Sequence, residues 1–299
     1  MPMRLDVSVI IVNYNTRDIT RNCLQSVFEQ TQGITFEVIV SDNGSTDGSQ
    51  EMIRAEFPEV VLIENGENIG FGAANNRALD VARGEFILYL NSDTYLLNNA
   101  VKLFFDYWME HENESLGCLG CILRDRDLSE THSGGAFPTY KSICEWEWRK
   151  LKVHCVKTIC KILSRRKLYD KLRKVKKNIY NNIGRIDYVT GADLFLKNNT
   201  LARFDENFFL YFEETDLQLR MFQNGLLSYL IPAPKIVHFY KKKDDDFIIS
   251  SISDVYSQIS AIKYAEKNLI KKKAYFLRLL IAIDWLNPYI RKIKQNICQ

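Results

Sequence analysis

The sequence predicts an α/β protein built on a parallel, doubly wound sheet. Three observations carry that reading. The first 125 residues alternate short apolar runs with helix-period segments, the βαβα order that right-handed crossovers turn into a parallel sheet. The runs are unbroken rather than alternating, as strands covered on both faces are. Several of them end in Asn or Asp within a polar loop, and such sheets bind ligands at the carboxyl ends of their strands.

Each element follows from local pattern. Val7–Asn13 reads as the first strand and Thr16–Gln30 as the first helix. Phe36–Ser41 is a strand that stops at Asp42. The loop Asn43-Gly44-Ser45-Thr46-Asp47-Gly48 has helix-capping chemistry, and Ser49–Phe57 should be helical. Val60–Ile63 is a strand, followed by the polar loop Glu64–Gly70 and a helix from Phe71 to Arg83. Phe86–Leu90 is a strand ending at Asn91-Ser92-Asp93, and helix Asn98–Glu112 and strand Leu116–Leu123 complete this part. After Gly191 the pattern changes to an aromatic-rich loop, Phe204–Phe209. Glu213-Glu214-Thr215-Asp216 then opens a helix running to Asn224, where acids suit the positive end of the macrodipole. Strand Leu226–Ile231 and a short strand ending at His238 close the region, and Ile252–Gln299 reads as helical.

Composition narrows the function classes. With 299 residues, 46% apolar and 26% charged, the chain can bury a large core, which excludes disorder as its main state. The best candidate for a membrane span, Phe276–Ile290, is broken by Arg278 and Asp284. No signal peptide is expected, because the N-terminal apolar run is short. Seven Cys, an odd number in a large chain, suggest reduced thiols and a cytoplasmic compartment. Cys118-x-x-Cys121 has no second pair, so a buried strand is expected there rather than zinc. The net charge of +3 hides an asymmetry: residues 141–180 hold 14 Lys/Arg against Glu145, Glu147 and Asp170. Residues 267–299 hold eight against Asp284 alone. Two basic segments on an acidic body point to an anionic partner.

Four strand-end loops carry polar clusters: Asn13-Tyr14-Asn15, Asp42-Asn43, Asn65–Gly70 and Asn91–Asp93. Turn chemistry explains any one of them and explains all four together poorly. Asp93, two residues from Asn91, can hold a hard divalent cation and leave positions open for phosphate oxygens, although Asn-x-Asp alone fits a turn equally well. There is no Gly-x-x-x-x-Gly-Lys-Ser/Thr and no Gly-x-Gly-x-x-Gly after the first strand, which argues against a P-loop and against NAD binding.

Six motifs then occur in order: Val9-Ile10-Ile11-Val12-Asn13-Tyr14-Asn15, Asp42–Gly48, Glu67-Asn68-Ile69-Gly70-Phe71-Gly72, Leu90–Thr94, Thr190-Gly191-Ala192 and Phe204–Leu217. Together they resemble the family 2 inverting glycosyltransferases, closest to the bacterial rhamnosyltransferases of cell-surface polysaccharide synthesis. The resemblance covers roughly residues 7–240 apart from the basic insert.

It implies a GT-A fold, a nucleotide-sugar donor and a divalent metal, Mg²⁺ or Mn²⁺. By motif, Asn13, Tyr14, Asn15, Asp42 and Asn43 should cradle the nucleoside, and Asn68, Gly70 and Asn75 line the donor pocket. Asn91-Ser92-Asp93 occupies the family's Asp-x-Asp position, with Asp93 the metal-binding member and Asn where the first Asp stands. His238 falls where related enzymes set a His against the metal or diphosphate; a structural His at a strand end is the other reading. Glu213-Glu214 matches the family's Glu-Asp pair, which makes Glu214 the expected general base, Glu213 the alternative and Asp216 a supporting residue. The expected organisation is a GT-A domain over 1–240 and a basic helical C-terminal region over 241–299. Within the domain, 1–125 is the nucleotide-sugar-binding half, 141–180 the basic insert and 185–240 the acceptor half.

The basic segments 141–180 and 267–299 mix cations with Trp, Leu, Ile and Val at helical spacing, as helices on anionic bilayers do. No helix-turn-helix, RRM or zinc pattern accompanies the charge, so no nucleic acid is expected. The resemblance supplies a glycan or polyprenyl-linked acceptor, which places the protein at the cytoplasmic face of the cell membrane. Asn91 and Glu214, each standing in for Asp, feed a different reading, a catalytically silent sugar-nucleotide-binding or scaffold protein. A nucleotidyltransferase, releasing diphosphate, is a weaker alternative.

Overall fold

The unbroken apolar run of the first strand is explained by burial on both sides. The computed structural model describes residues 5–112, 114–162, 182–239, 252–270 and 274–297. Its elements in chain order are β1 (Leu5–Asn13), α1 (Arg17–Gln30), β2 (Phe36–Asp42), α2 (Ser49–Glu56), β3 (Val61–Glu64), α3 (Phe71–Leu79), β4 (Gly84–Asn91), β5 (Thr94–Leu96), α4 (Ala100–Glu110) and β6 (Leu116–Cys121). There follow β7 (Gly134–Gly135), α5 (Tyr140–Ile162), β8 (Gly184–Ile186), β9 (Tyr188–Val189), β10 (Asp193–Lys197), α6 (Glu213–Gln223), β11 (Leu227–Ile231), β12 (Ile236–His238), α7 (Ile252–Tyr264) and α8 (Tyr275–Ile297). Along β1, Val7, Val9 and Ile11 enter one core with Leu24, Val27, Phe104 and Trp108 of α1 and α4. Ile10 enters the other, with Ala78 of α3 and Leu217 and Met221 of α6. With a period of two and both faces covered, the one polar side chain inside the run, Ser8, is buried and donates to Glu37 at 2.7 Å.

The main sheet has eight strands in the order β3-β2-β1-β4-β10-β6-β11-β8. β3, β2, β1 and β4 run parallel, and so do β6 and β11, giving the mainly parallel α/β sheet that the sequence predicts. β10 runs antiparallel to β4 and to β6, and β8 antiparallel to β11. Aromatic packing fixes β10 in that place: the Phe195 ring stacks on Phe86 at 5.3 Å and on Phe104 at 5.6 Å between centroids. Helix α3 stops at Leu79, short of the expected Arg83. There Val81 and Ala82 donate to carbonyls three residues back, Ala78 and Leu79, a tighter turn that ends the helix. A second, small sheet pairs β12 with β5, setting His238 opposite Thr94.

The chain divides into two units, Met1–Phe137 with Ile179–Lys242, and Pro138–Asn178 with Lys243–Gln299. The basic insert and the C-terminal region, expected as separate pieces, thus share the second unit. The physical reason is a polar contact from α5 to α7: the side-chain amide of Gln258 donates to Glu147 at 2.8 Å. Residues 163–180 of the insert and 241–251, 271–273 and 298–299 of the C-terminal region lie outside the described residues. Among the described residues, no helix is long and apolar enough to cross a membrane.

Candidate active site

The parallel strands β1, β2 and β4 deliver their polar ends to one edge of the sheet. Asn13 and Asp42 are fully buried there, at the ends of neighbouring strands. The Asn13 amide donates to Asp42 Oδ2 at 2.6 Å and to Ser45 Oγ at 3.0 Å, while its Oδ1 accepts from Thr16 and Thr20, both at 2.7 Å. Asp42 Oδ1 accepts from Ser45 N–H at 2.9 Å and from Gln50 at 2.6 Å. These side chains build the floor of the loops. Tyr14, next in the chain after Asn13, has 47% of its surface exposed. Asn15 takes a left-handed φ of 53° and accepts Thr46 N–H at 2.8 Å.

The next loop is tied to this one. Asn43 donates to Asn68 Oδ1 at 3.3 Å and to the Gly70 carbonyl at 3.2 Å, and accepts from Asn65 at 2.9 Å. Gly70 has φ +92°, and a Cβ there would lie 2.7 Å from the Phe209 carbonyl oxygen. That same oxygen accepts Phe71 N–H at 2.9 Å. The donor-side loop therefore abuts the Phe204–Leu217 segment. Asn75 is buried with its amide turned onto its own helix, 3.0 Å from the Phe71 carbonyl. Its neighbour Asn76, which the sequence reading passed over, clasps both backbone polar groups of Phe204 at 2.9 and 3.0 Å.

At the end of β4, Asp93 Oδ1 lies 3.1 Å from His238 Nε2, and the Asn91 amide nitrogen lies 3.4 Å from the same nitrogen. The Ser92 hydroxyl is 3.4 Å from Thr16 Oγ1. Pairing of β5 with β12 brings His238 to Asp93 across the sequence, and Phe239 N–H donates to the Asp93 carbonyl at 2.8 Å. Burial pulls the His238 imidazole down, but Asp93, Asp193 and Asp125 outweigh it and hold the ring's pKa above its ordinary value. Asp193, another residue the sequence reading did not single out, is fully buried. Desolvation pushes its carboxyl up to about 7, against the Cys121 N–H it accepts at 2.7 Å. Among the described residues, no three His, Cys, Asp or Glu side chains converge to hold a metal by themselves. A half-exposed carboxylate beside one imidazole does fit Mg²⁺ or Mn²⁺ in the mode where substrate phosphates complete the shell.

The Thr190-Gly191-Ala192 segment touches both the end of β4 and a second acidic pair, Glu213-Glu214. Ala192 accepts Asn91 N–H at 3.0 Å, and a Cβ on Gly191 would lie 3.5 Å from Glu214 Cβ. Tyr211 and Phe212, at φ 69° and 68°, hold consecutive left-handed conformations just before Glu213. Such strain in non-glycine residues gathers at functional sites. Burial, then the neighbouring Glu214, raises the Glu213 carboxyl well above the carboxylate range, and burial raises Glu214. Among the described residues, Glu213 Oε2 is buried without a hydrogen-bond partner. Tyr188, absent from the expected site, faces this pair: burial and the Glu214 charge push its phenol up to about 12. Asp216 is fully buried and its Oδ2 lies 3.2 Å from Arg220, one turn on.

A raised carboxyl pKa binds protons more tightly in the folded state, so its stabilisation is complete below the ordinary value of 4.5 and is lost as pH rises through the folded value. The melting temperature should therefore fall as pH climbs above 4.5, and Glu213→Gln should flatten that slope and raise stability at neutral pH. Thermal melts of both proteins across pH check it; parallel curves would mean that Glu213 is not the group responsible.

The fold defines a class, a GT-A-like sheet with polar loops at the strand ends and a pair of buried carboxyl side chains at Glu213 and Glu214. The sequence model of Glycosyl transferase family 2 matches residues 8–173, and the chain belongs to that family. A poly(ribitol-phosphate) beta-glucosyltransferase of Bacillus spizizenii is 32% identical over 115 residues, 37% of this chain and 18% of that protein. The UDP-Glc:alpha-D-GlcNAc-diphosphoundecaprenol beta-1,3-glucosyltransferase WfaP of Escherichia coli is 31% identical over 112 residues, 34% of this chain and 44% of that one. The chain thus spans well under half the length of these relatives. In fold it is similar to mannosyltransferase PcManGT of Pyrobaculum calidifontis, solved with GDP-Man and Mn²⁺, at TM-score 0.58 and 17% identity, covering 96% of this chain and 72% of that one.

Proposed function

We propose that the protein is an inverting glycosyltransferase that moves a sugar from a nucleotide-sugar to a hydroxyl of a lipid-linked or growing cell-surface polysaccharide. The observation that carries this is that Gly191 abuts the Glu214 side chain while the next residue, Ala192, accepts the N–H of Asn91, two residues from Asp93 and its His238 partner. An acceptor hydroxyl is a poor nucleophile and must shed its proton as it attacks the anomeric carbon. Glu214 takes that proton, and its raised pKa brings it closer to the operating pH, where a base is most effective. The acceptor oxygen forms the new bond as the bond to the diphosphate oxygen breaks, and one displacement inverts the centre. Asp93 and His238 would hold a divalent cation, which when bound supplies positive charge against the leaving diphosphate. Tyr14 offers a face for the base, and Asn13 and Asp42 hold the loops that carry it.

The motif resemblance favours L-rhamnose from dTDP-L-rhamnose as the donor. The polyprenyl-linked acceptor has a parallel in the diphosphoundecaprenol of the WfaP name. A silent nucleotide-sugar-binding protein is the second reading, favoured by Asn91 in the first acidic position. A thermal-shift panel of UDP, dTDP, GDP and CDP, each with and without Mn²⁺, tests the donor site. A ligand at 100 times its Kd adds ~2.7 kcal/mol, a rise of about 5 °C or more at this size. One nucleotide, dTDP for a rhamnosyl donor, should shift the melt more with metal than without. No shift with any of the four would overturn the nucleotide-sugar reading.

A further inference from the structure

The two helices of the second unit that carry the basic segments bury acids and leave large apolar side chains on their outer faces. On α8, Leu277, Leu280, Ile281 and Asp284 are buried, while Tyr275, Phe276, Leu279, Ile283 and Leu286 stand between 41% and 72% exposed. Asp284, the sole acid of residues 267–299, faces inward beside Leu280 and Ile281, while Leu279, Ile283 and Leu286 face out. On α5 the same pattern recurs: Glu147 is 3% exposed, while Trp146 and Trp148 are 58% and 46% exposed.

One buried amide fixes this arrangement. Gln258 of α7 donates to Glu147 Oε2 at 2.8 Å and to Asp284 Oδ2 at 3.2 Å, and its Oε1 accepts the Trp285 indole N–H at 2.6 Å. Neither α5 nor α8 can roll its apolar side inward without stripping buried polar groups of these partners, which costs more than the bonds are worth net. The exposed stripe is thus specified by the fold. Contiguous exposed apolar surface of this kind marks an interaction site.

We propose that the outer faces of α5 and α8 dock on an anionic lipid bilayer, with α8 lying along the headgroup plane. Charge selects this occupant. Burying Glu147 and Asp284 removes acids from segments that are otherwise strongly basic. The Lys152 ammonium lies 5.2 Å from the Trp148 ring centre, placing cation and aromatic together as interfacial helices do, while Lys150, 5.5 Å from the Trp146 ring, also pairs with Glu147 at 3.2 Å. A second copy of the same basic face would repel it, whereas anionic lipid attracts the cations and receives the apolar stripe. No described helix is long and apolar enough to cross a membrane, so the contact lies on the surface. This inference uses no residue of the sugar-transfer site.

Flotation of the 299-residue chain with phosphatidylglycerol–phosphatidylcholine vesicles tests it, against phosphatidylcholine vesicles alone. The protein should float with the anionic vesicles, with a blue shift in tryptophan emission, and binding should fall steeply with salt. Leu279→Ser combined with Ile283→Ser and Leu286→Ser should weaken binding by about ten-fold or more, with an unchanged melting temperature. Nucleotide-induced thermal shifts should also stay unchanged in that variant, so a failure here is separable from a failure of the donor site. The proposal is overturned if the triple variant floats like the parent, if the parent ignores both vesicles, or if parent binding is indifferent to salt. A concentration-dependent dimer abolished by the three serines, without lipid binding, would assign the stripe to a second copy instead.

Discussion

Glu214→Gln should lower turnover by about 10²–10⁴-fold while leaving nucleoside diphosphate binding intact. The amide keeps the shape of the carboxylate and cannot accept the acceptor's proton. Glu214 is half-buried, and the Gly191 backbone lies against its side chain, so the substitution disturbs little packing. Because burial raises the Glu214 pKa, the parent's rate should rise with pH as the base ionises, with its midpoint above the ordinary 4.5. The residual activity of the variant should lose that limb. Initial rates over pH, together with a nucleotide titration of both proteins, measure this. Unchanged turnover would sink Glu214 as the base and move the role to Glu213, whose buried, partnerless Oε2 makes it the next candidate. A silent parent that still binds nucleotide would favour the scaffold reading.

What the sequence shows of this site depends on how local the signal is. Strand ends are local: apolar runs stopping at Asn13, Asp42 and Asn91 locate three of the loops, and the structure puts all three on adjacent strands. The meeting of Asp93 with His238 is not local. It needs β12 to pair with β5 across the chain, a pairing that no periodicity window spans. The antiparallel entry of β10 is hidden for the same reason, since an apolar run looks identical in either direction. Asn13 and Asp42 illustrate a different limit. Residue type marks them as polar at a sheet edge, but only coordinates show that their side chains are consumed by each other and by Ser45, Thr16, Thr20 and Gln50. Asp193 and Tyr188 carry no motif signal of their own; burial beside other charges is what sets them apart. The exposed apolar faces of α5 and α8 read in the sequence as ordinary amphipathic helices, because spacing cannot say which side faces in.

The closest approach between the Glu67–Gly72 loop and the Phe204–Leu217 segment is at one glycine, and Gly70→Ala should cost about 2–4 kcal/mol of stability and most of the donor binding. Two penalties act at once. The position holds φ +92°, outside the range L side chains favour, and the new methyl would sit 2.7 Å from the Phe209 carbonyl oxygen. That oxygen is held by Phe71 N–H at 2.9 Å, so it cannot retreat without breaking the bond that starts α3. Moving it would also displace the segment leading to Phe212 and Glu213, which links donor loop to base. Gly66→Ala is the control: φ is +76° there, yet no atom lies within 4 Å of the added carbon. It should show the backbone strain alone, about 1 kcal/mol, and keep nucleotide affinity. Urea denaturation and nucleotide titration of the two variants separate strain from close approach. Equal losses in both would mean that the Gly70–Phe209 contact does not couple the donor loop to the catalytic segment.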